Sequence, residues 1–315
     1  MIYPWLESTW QRCLQLYWQQ RFPHAVLVTA PEGMGKSALV ESLTALLLCQ
    51  APEQNRACGK CHSCHLFQQH CHPDYQQLGE VEKGASIDDI REINDFLNQT
   101  SYLKGAKIIT LQADKLLPAS SNALLKTLEE PADHVYFILV ATKAKGLLPT
   151  LQSRCFKLNI AIPSESVAIS WLKQAHSEHS LEDLKWFLTL AGGAPLRAQV
   201  LLQTPQIAQM IECFTAVFAY PFDAKPQQTI LQWVSTEPQQ ALYLLYYWFA
   251  AFIRNMLTQE NPKFNTLAAR GVTPQKAFLF LQEINQALQA VPLPGINKPL
   301  LFEALFQRWH EIKAS

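Results

Sequence analysis

The segment Val26-Leu27-Val28-Thr29-Ala30-Pro31-Glu32-Gly33-Met34-Gly35-Lys36-Ser37 decides the fold. Val26, Leu27 and Val28 form a short apolar run that reads as a buried strand. Beyond the loop, Leu39, Val40, Leu43, Leu46 and Leu47 recur at helical spacing. Strand, glycine loop and helix in that order match the phosphate-loop signature GxxxxGK[ST]. That signature needs glycine where backbone N–H groups converge on an anion, a lysine for the outer phosphates and a hydroxyl for magnesium. Gly35, Lys36 and Ser37 fill their places and Gly33 adds freedom, while Ala30 stands where the first glycine belongs and weakens the expected affinity. Gly33, Gly35, Lys36 and Ser37 are therefore the candidate nucleotide-binding set, for ATP or ADP with Mg2+; the alternative is a strand-to-helix turn that holds nothing.

Cys49 closes that helical pattern, and Cys58-Gly59-Lys60-Cys61-His62-Ser63-Cys64 adds three thiols in two Cys-x-x-Cys steps. Together the four can surround one tetrahedral Zn2+ with no position left for water, the arrangement of a structural site. His62, His65, His70 and His72 lie close enough in sequence to replace a thiolate, so the ligand set is open at this point. Disulfides are the competing reading, disfavoured where thiols stay reduced. Cys13, Cys71, Cys155 and Cys213 are expected to be packing residues.

With 315 residues the chain has room for two or three domains. Its 26 Lys and Arg balance its 26 Asp and Glu. A neutral chain lacks the cationic surplus that phosphate backbones demand, so any DNA contact is local or shared with partners. The most apolar run, Ala241 to Ile253, is closed by Arg254 and falls short of the ~20 residues that cross a bilayer. Met1-Ile2-Tyr3-Pro4-Trp5 lacks the basic and apolar regions of a signal peptide, which leads us to expect a cytoplasmic protein.

In chain order, Trp5, Trp10, Leu14 and Tyr17 predict an aromatic-rich first helix packed on the nucleotide fold. His72-Pro73-Asp74-Tyr75 is a turn into a strand over 76–78, and Ser86 caps a helix with Ile87, Ile90, Ile93 and Leu97 on one face. Lys107 to Leu111 is the next buried strand. At its exit a hydrolase of this architecture needs an Asp-Glu pair for Mg2+ and for water, but the chain reads Gln112-Ala113, with Asp114 available only by a register shift. A helix over 121–130, capped by Ser120 or Ser121 and stopped by Pro131, precedes a strand over 135–140 that ends at Ala141-Thr142. Thr142 is either a hydroxyl placed to sense a γ-phosphate or a plain strand-end threonine. Leu151-Gln152-Ser153-Arg154-Cys155 follows, and by itself Arg154 is an arginine in solvent or in an ion pair. Strands alternating with helices through Cys155 predict an α/β parallel sheet with helices on both faces. From Pro163 the pattern is helical throughout, with a turn at Gly192-Gly193 and a boundary at Thr204-Pro205. The aromatics of the tail, Trp233, Trp248, Phe252 and Trp309 among them, are either core or a subunit interface.

His24-Ala25, Pro31 to Lys36, the four cysteines, His72-Pro73-Asp74, Ile90-Arg91-Glu92, Asn122 to Pro131 and Ser153-Arg154-Cys155 carry a family resemblance. On these residues the chain resembles the delta prime (δ′) subunits of bacterial DNA polymerase III clamp loaders, within the AAA+ superfamily. The likeness is specific between His24 and Cys155; the C-terminal helices match by length and class alone. It implies an AAA+ nucleotide-fold domain over 1–162 with a zinc module at 49–64, a helical lid over 163–204 and an all-α collar for oligomerisation over 205–315. It also implies that Arg154, with Ser153 beside it, reaches across a subunit boundary as a trans arginine finger, and that Arg197 is the lid arginine that senses nucleotide in cis. The implied function is loading of the sliding clamp onto primer-template DNA beside gamma/tau ATPase subunits and the delta subunit. The chain would then be a hydrolysis-deficient part of a DNA polymerase holoenzyme. An ATP-hydrolysing clamp-loader subunit or motor is the runner-up, and a free-standing zinc-module DNA binder is disfavoured by the zero net charge.

Overall fold

A computed structural model of the chain describes residues 2–78, 87–219, 224–258, 264, 272–291, 293 and 295–314. The chain divides into two units, Met1–Val167 and Ala168–Ser315.

The first unit is built on five strands: β1 (Ala25–Thr29), β2 (Tyr75–Leu78), β3 (Lys107–Gln112), β4 (Val135–Ala141) and β5 (Phe156–Asn159). They lie in the order β2-β3-β4-β1-β5, and every pairing is parallel. Parallel strands covered on both faces carry unbroken apolar runs, which is how Val-Leu-Val and Ile-Leu-Val come to lie side by side in β1 and β4. Leu27, Ile109, Leu111, Phe137 and Leu139 share one core with Ile90, Ile93, Leu124, Leu128 and Leu151. Their sequence neighbours Val26, Val28, Ile108, Ile138 and Val140 are buried as well, on the opposite face by the strand's period of two.

Around the sheet run α1 (Glu7–Trp18), α2 (Lys36–Leu48), α3 (His62–Gln68), α4 (Ile87–Asn98), α5 (Pro118–Glu129) and α6 (Pro149–Arg154). The strands over 26–28, 76–78, 107–111 and 135–140 expected from the apolar runs all stand, each extended by a residue or two. One expectation needs correction, and two elements add to the reading. α5 starts at Pro118 with Leu117 as its N-cap, three residues before the predicted start, because proline's fixed φ suits the first helical position; Ser120 and Ser121 are buried helix residues, not caps. Leu151 to Arg154 belong to a short helix that again starts on a proline. After Cys155 the chain returns as β5 beside β1, a strand too short and too mixed to show in the sequence. The predicted cap Ser86 lies outside the described residues.

The turn before β2 is more than a turn. Asp74, 1 % exposed, accepts from the backbone N–H of Tyr102 at 2.8 Å and of Leu103 at 2.9 Å, and from Ser101 Oγ at 3.1 Å. One carboxylate thus ties the entrance of β2 to the loop that feeds β3.

The second unit is helical: α7 (Glu165–Ala175), α8 (Leu181–Leu190), α9 (Pro195–Gln203), α10 (Pro205–Ala219), α11 (Ala224–Thr236), α12 (Pro238–Thr258), α13 (Pro274–Ala290) and α14 (Lys298–Ala314). Ala168, Leu172, Leu184, Leu188 and Ala198 form a small core. A larger one gathers on Phe218, whose ring lies 5.5 Å from Trp248, 5.4 Å from Phe249, 5.9 Å from Phe280 and 5.8 Å from Trp309 between centroids. Most of these pairs meet edge to face, the geometry the ring quadrupole favours. Trp309 Nε1 also donates to Phe218 O at 3.2 Å. Trp248, Phe252, Ile284, Leu305 and Trp309 are therefore core, whereas Leu279 and Leu300 face solvent. No described helix is long and apolar enough to cross a membrane.

Asp74→Ala should destabilise the first unit by about 2–4 kcal/mol, since a buried carboxylate that accepts three hydrogen bonds is lost. The check is urea unfolding of the full chain, and a change below about 0.5 kcal/mol, the size of a bland surface substitution, would remove Asp74 from this role.

Candidate functional site

Gly33 and Gly35 both have positive φ, +78° and +80°, which an L side chain adopts with strain. Gly35 is the N-cap of α2, so β1 turns into the helix with its first backbone N–H groups facing out of the sheet's C-terminal edge. A Cβ at Gly35 would also stand 2.7 Å from Tyr3 Cδ2. Tyr3 stacks on Trp5 with centroids 5.0 Å apart, and Trp5 Nε1 donates to Met34 O at 2.9 Å, so the N-terminal segment braces the loop. Lys36 Nζ bonds back to Ala30 O at 2.5 Å and Pro31 O at 3.2 Å. Burial lowers its pKa, with Glu32 and Asp114 pulling the other way. A lysine held by two loop carbonyls, at a glycine-lined helix start, fits an anionic phosphate.

Next to the loop, Ser37, Glu41, Gln77, Thr110 and Gln112 line part of a cavity of about 260 Å³. Gln112 comes from the exit of β3, where an amide replaces the carboxylate expected of a hydrolase. Ala113 is buried and brings no acid. Asp114 sits on the following 3-10 turn and accepts from the Thr142 backbone N–H at 2.8 Å, so this carboxylate joins the exits of β3 and β4. Among the described lining residues the one carboxylate is Glu41, one helical turn beyond Ser37.

At the far end of α2 the Sγ atoms of Cys49, Cys58, Cys61 and Cys64 lie within 4.8 Å of one another. The sulfurs of Cys58 and Cys64 are 3.9 Å apart, close to the edge of about 3.8 Å for a tetrahedron with 2.3 Å zinc–sulfur bonds. Backbone N–H groups already point at the sulfurs: Cys58 N at Cys49 Sγ (3.3 Å), Cys61 N at Cys58 Sγ (3.3 Å) and Cys64 N at Cys61 Sγ (3.4 Å). Burial pushes the Cys61 thiol up, but N–H donors of Cys64 and Gln50 and the thiols beside it outweigh that and bring it down to about 6. The donor set fits zinc.

None of the four nearby histidines joins the cluster. His72 is spoken for at both nitrogens: Ser63 Oγ donates to Leu48 O at 2.6 Å and so accepts from His72 Nε2 at 2.9 Å, while Asp74 N donates to Nδ1 at 3.0 Å. Burial lowers its pKa, in keeping with a neutral ring. Elsewhere, burial holds Cys13 up to about 12 and Cys155 up to about 11, the behaviour of packing thiols.

Arg154 ends α6. Its guanidinium pairs with Glu129 at the end of α5 and donates from Nη1 to Thr150 O at 2.9 Å, while Nε is buried without a hydrogen-bond partner. Ser153 Oγ donates to the same Thr150 O at 2.9 Å. Nothing in the sequence pairs Glu129 with Arg154; they meet because α5 and α6 pack together. Arg197, in the second unit, lies over the rings of Tyr243 (4.8 Å) and Tyr247 (4.5 Å), and Gly192 lets Tyr247 approach, since a Cβ there would come within 2.3 Å of the ring.

A family model described as DNA polymerase III, delta subunit, matches residues 5–164. The DNA polymerase III subunit delta' of Pseudomonas aeruginosa is 33% identical over 98% of this chain and 97% of its own length. That of Escherichia coli is 32% identical over 97% and 94%, and that of Haemophilus influenzae 39% identical over 66% and 64%. A parallel β2-β3-β4-β1-β5 sheet with a phosphate loop, a four-thiol cluster at the far end of its helix and full-length relatives of one kind all agree: the chain belongs to the family of DNA polymerase III delta prime subunits.

Proposed function

We propose that this chain is a clamp-loader subunit of the bacterial replicative DNA polymerase III holoenzyme that does not hydrolyse ATP and instead supplies Arg154 to nucleotide held by a neighbouring subunit. The observation that carries the reading is the exit of β3: Gln112 faces the cavity beside Ser37, Ala113 is buried, and the carboxylate of Asp114 is engaged by Thr142. A neutral amide holds Mg2+ poorly and takes no proton from water. A chain of this kind contributes to turnover through a group it can present outward, and Arg154 is such a group, at a helix end with about a third of its side chain exposed. A guanidinium given in trans stabilises the charge that develops on a transferred phosphoryl group.

In this reading Gly33, Gly35, Lys36 and Ser37 bind ATP or ADP without turning it over, and Thr142 and Arg197 serve as nucleotide sensors. Zn2+ on Cys49, Cys58, Cys61 and Cys64 is structural. A lid over 163–204 and a collar over 205–315 share the larger core, in which Trp186 and Leu190 of α8 pack with the later helices. The partners are gamma/tau ATPase subunits, the delta subunit, the sliding clamp and primer-template DNA. A second reading, an ATPase in its own right, is favoured only by Glu41 beside Ser37. ATP binding and turnover by the purified chain, with and without Mg2+, separates the two: turnover lost in Lys36→Ala would establish the second.

In the reconstituted ring, Arg154→Ala should leave assembly intact and remove turnover at one neighbouring site, where such a finger is worth about 10³–10⁵ in rate. Unchanged DNA-stimulated turnover would sink the trans role. Glu129→Gln frees the guanidinium from its partner in cis and should lower the KM for ATP at that site with kcat little changed; a fall in kcat would mean that Glu129 aims the arginine instead. Cys61→Ser should release the zinc and destabilise the first unit, because binding energy at a structural site is folding energy. Metal analysis showing one zinc per chain in that variant would rule out the four-thiolate site.

A further inference from the structure

The loop between α7 and α8, His176-Ser177-Glu178-His179-Ser180, has no part in the function proposed above, and its side chains converge. His176 N donates to Leu172 O at 2.8 Å as α7 ends, and His179 N donates to His176 O at 3.3 Å, closing a turn. Ser180 then caps α8 by accepting from Asp183 N at 3.1 Å. Within this turn His176 Nδ1 lies 3.4 Å from Glu178 Oε1, and His179 Nε2 lies 3.6 Å from the same oxygen. All three ligand atoms fall within 4.8 Å of one another.

We propose that His176, Glu178 and His179 form a second metal site, an open three-ligand site for a late first-row divalent cation such as Zn2+ or Ni2+. A tetrahedral ion with bonds of about 2.1 Å has ligand–ligand edges of about 3.4 Å, so two edges already have the required length. Two imidazoles and a carboxylate are a donor set that such ions accept, with the fourth position left to water. His176 is 6 % exposed, which fixes its ring with Nδ1 aimed into the cluster. In the metal-free chain Nδ1–H faces the Glu178 carboxylate, and because Nε2 has no hydrogen-bond partner the ring can carry its proton there when a cation takes the Nδ1 lone pair. The loop is polar and solvent-facing on one side, since Glu178 is exposed, so an ion reaches it directly. A metal here would clamp the α7–α8 junction.

The test is calorimetric titration of NiCl2 into the tag-free full chain whose four-thiolate site has first been filled with zinc. The expected result is one further equivalent, bound saturably. His179→Ala and Glu178→Ala, both in the exposed half of the loop, should each weaken it at least about tenfold, with the helical circular dichroism unchanged. A simple hydrogen-bonded turn predicts no saturable binding. Absence of binding by the wild-type chain, or wild-type affinity in either variant, overturns the assignment.

Discussion

A left-handed glycine at the mouth of β1 is the constraint on which the first unit depends. Gly35 lets the strand turn at once into α2, and that helix of thirteen residues, about 20 Å long, carries one candidate site at each end. At its start lie the phosphate loop and the lysine folded onto it. At its end Leu48 O receives Ser63, and Cys49 offers its sulfur to the Cys58 N–H. The loop and the thiolate cluster are therefore parts of one rigid element. Ser63 passes the constraint on through His72 to the Asp74 backbone, and the Asp74 carboxylate passes it to the loop before β3. Polar groups buried at sheet edges need partners, and this chain of partners runs from α2 to β3 without a gap.

That relay explains which features were legible in the amino-acid sequence. Strands β1, β3 and β4 are continuous apolar runs, and the loop and the cysteines have local spacing, so each could be read within a dozen residues. β5 could not, because Phe-Lys-Leu-Asn looks like half a strand until β1 lies beside it. The start of α5 was misplaced because two serines make a plausible cap, whereas Pro118 makes a better first turn. The Asp74 hub and the Arg154–Glu129 pair join residues 27 to 29 and 25 positions apart, and no periodicity encodes such meetings. The histidine ligands left open by sequence spacing are closed out by geometry: His72 has both nitrogens committed, and the sulfurs alone converge.

The edge of the sheet is where the proposed function is seated. The amide of Gln112 lines the cavity beside Ser37 and is a poorer ligand for a hard cation than a carboxylate would be. Asp114 accepts from the Thr142 backbone N–H. Lys36 remains, and its ammonium needs partners whether or not phosphate is present; the carbonyls of Ala30 and Pro31 meet that need. Arg154 meets it through Glu129 in the same way. Each cation is thus satisfied by a partner that an anionic phosphate can displace, which is a condition for binding without leaving a bare charge in the unliganded chain.

The helical unit follows a different rule. Its aromatics were open to two readings, core or interface, because composition does not tell them apart. Geometry does: five rings of other helices and Phe214 of its own stand around Phe218, and Trp309 spends its indole N–H on the carbonyl of that same residue, so these side chains have no surface left to offer a partner. What the unit does offer is a set of aliphatic and aromatic side chains on α13 and α14, with Phe278, Leu279 and Leu300 each more than half exposed. Arg197 belongs with the interior, its planar guanidinium laid on two tyrosines of α12 and its helix brought near by Gly192. Taking the guanidinium off those rings would cost about 0.5–2 kcal/mol, so the stacking holds Arg197 in place in the chain as it stands.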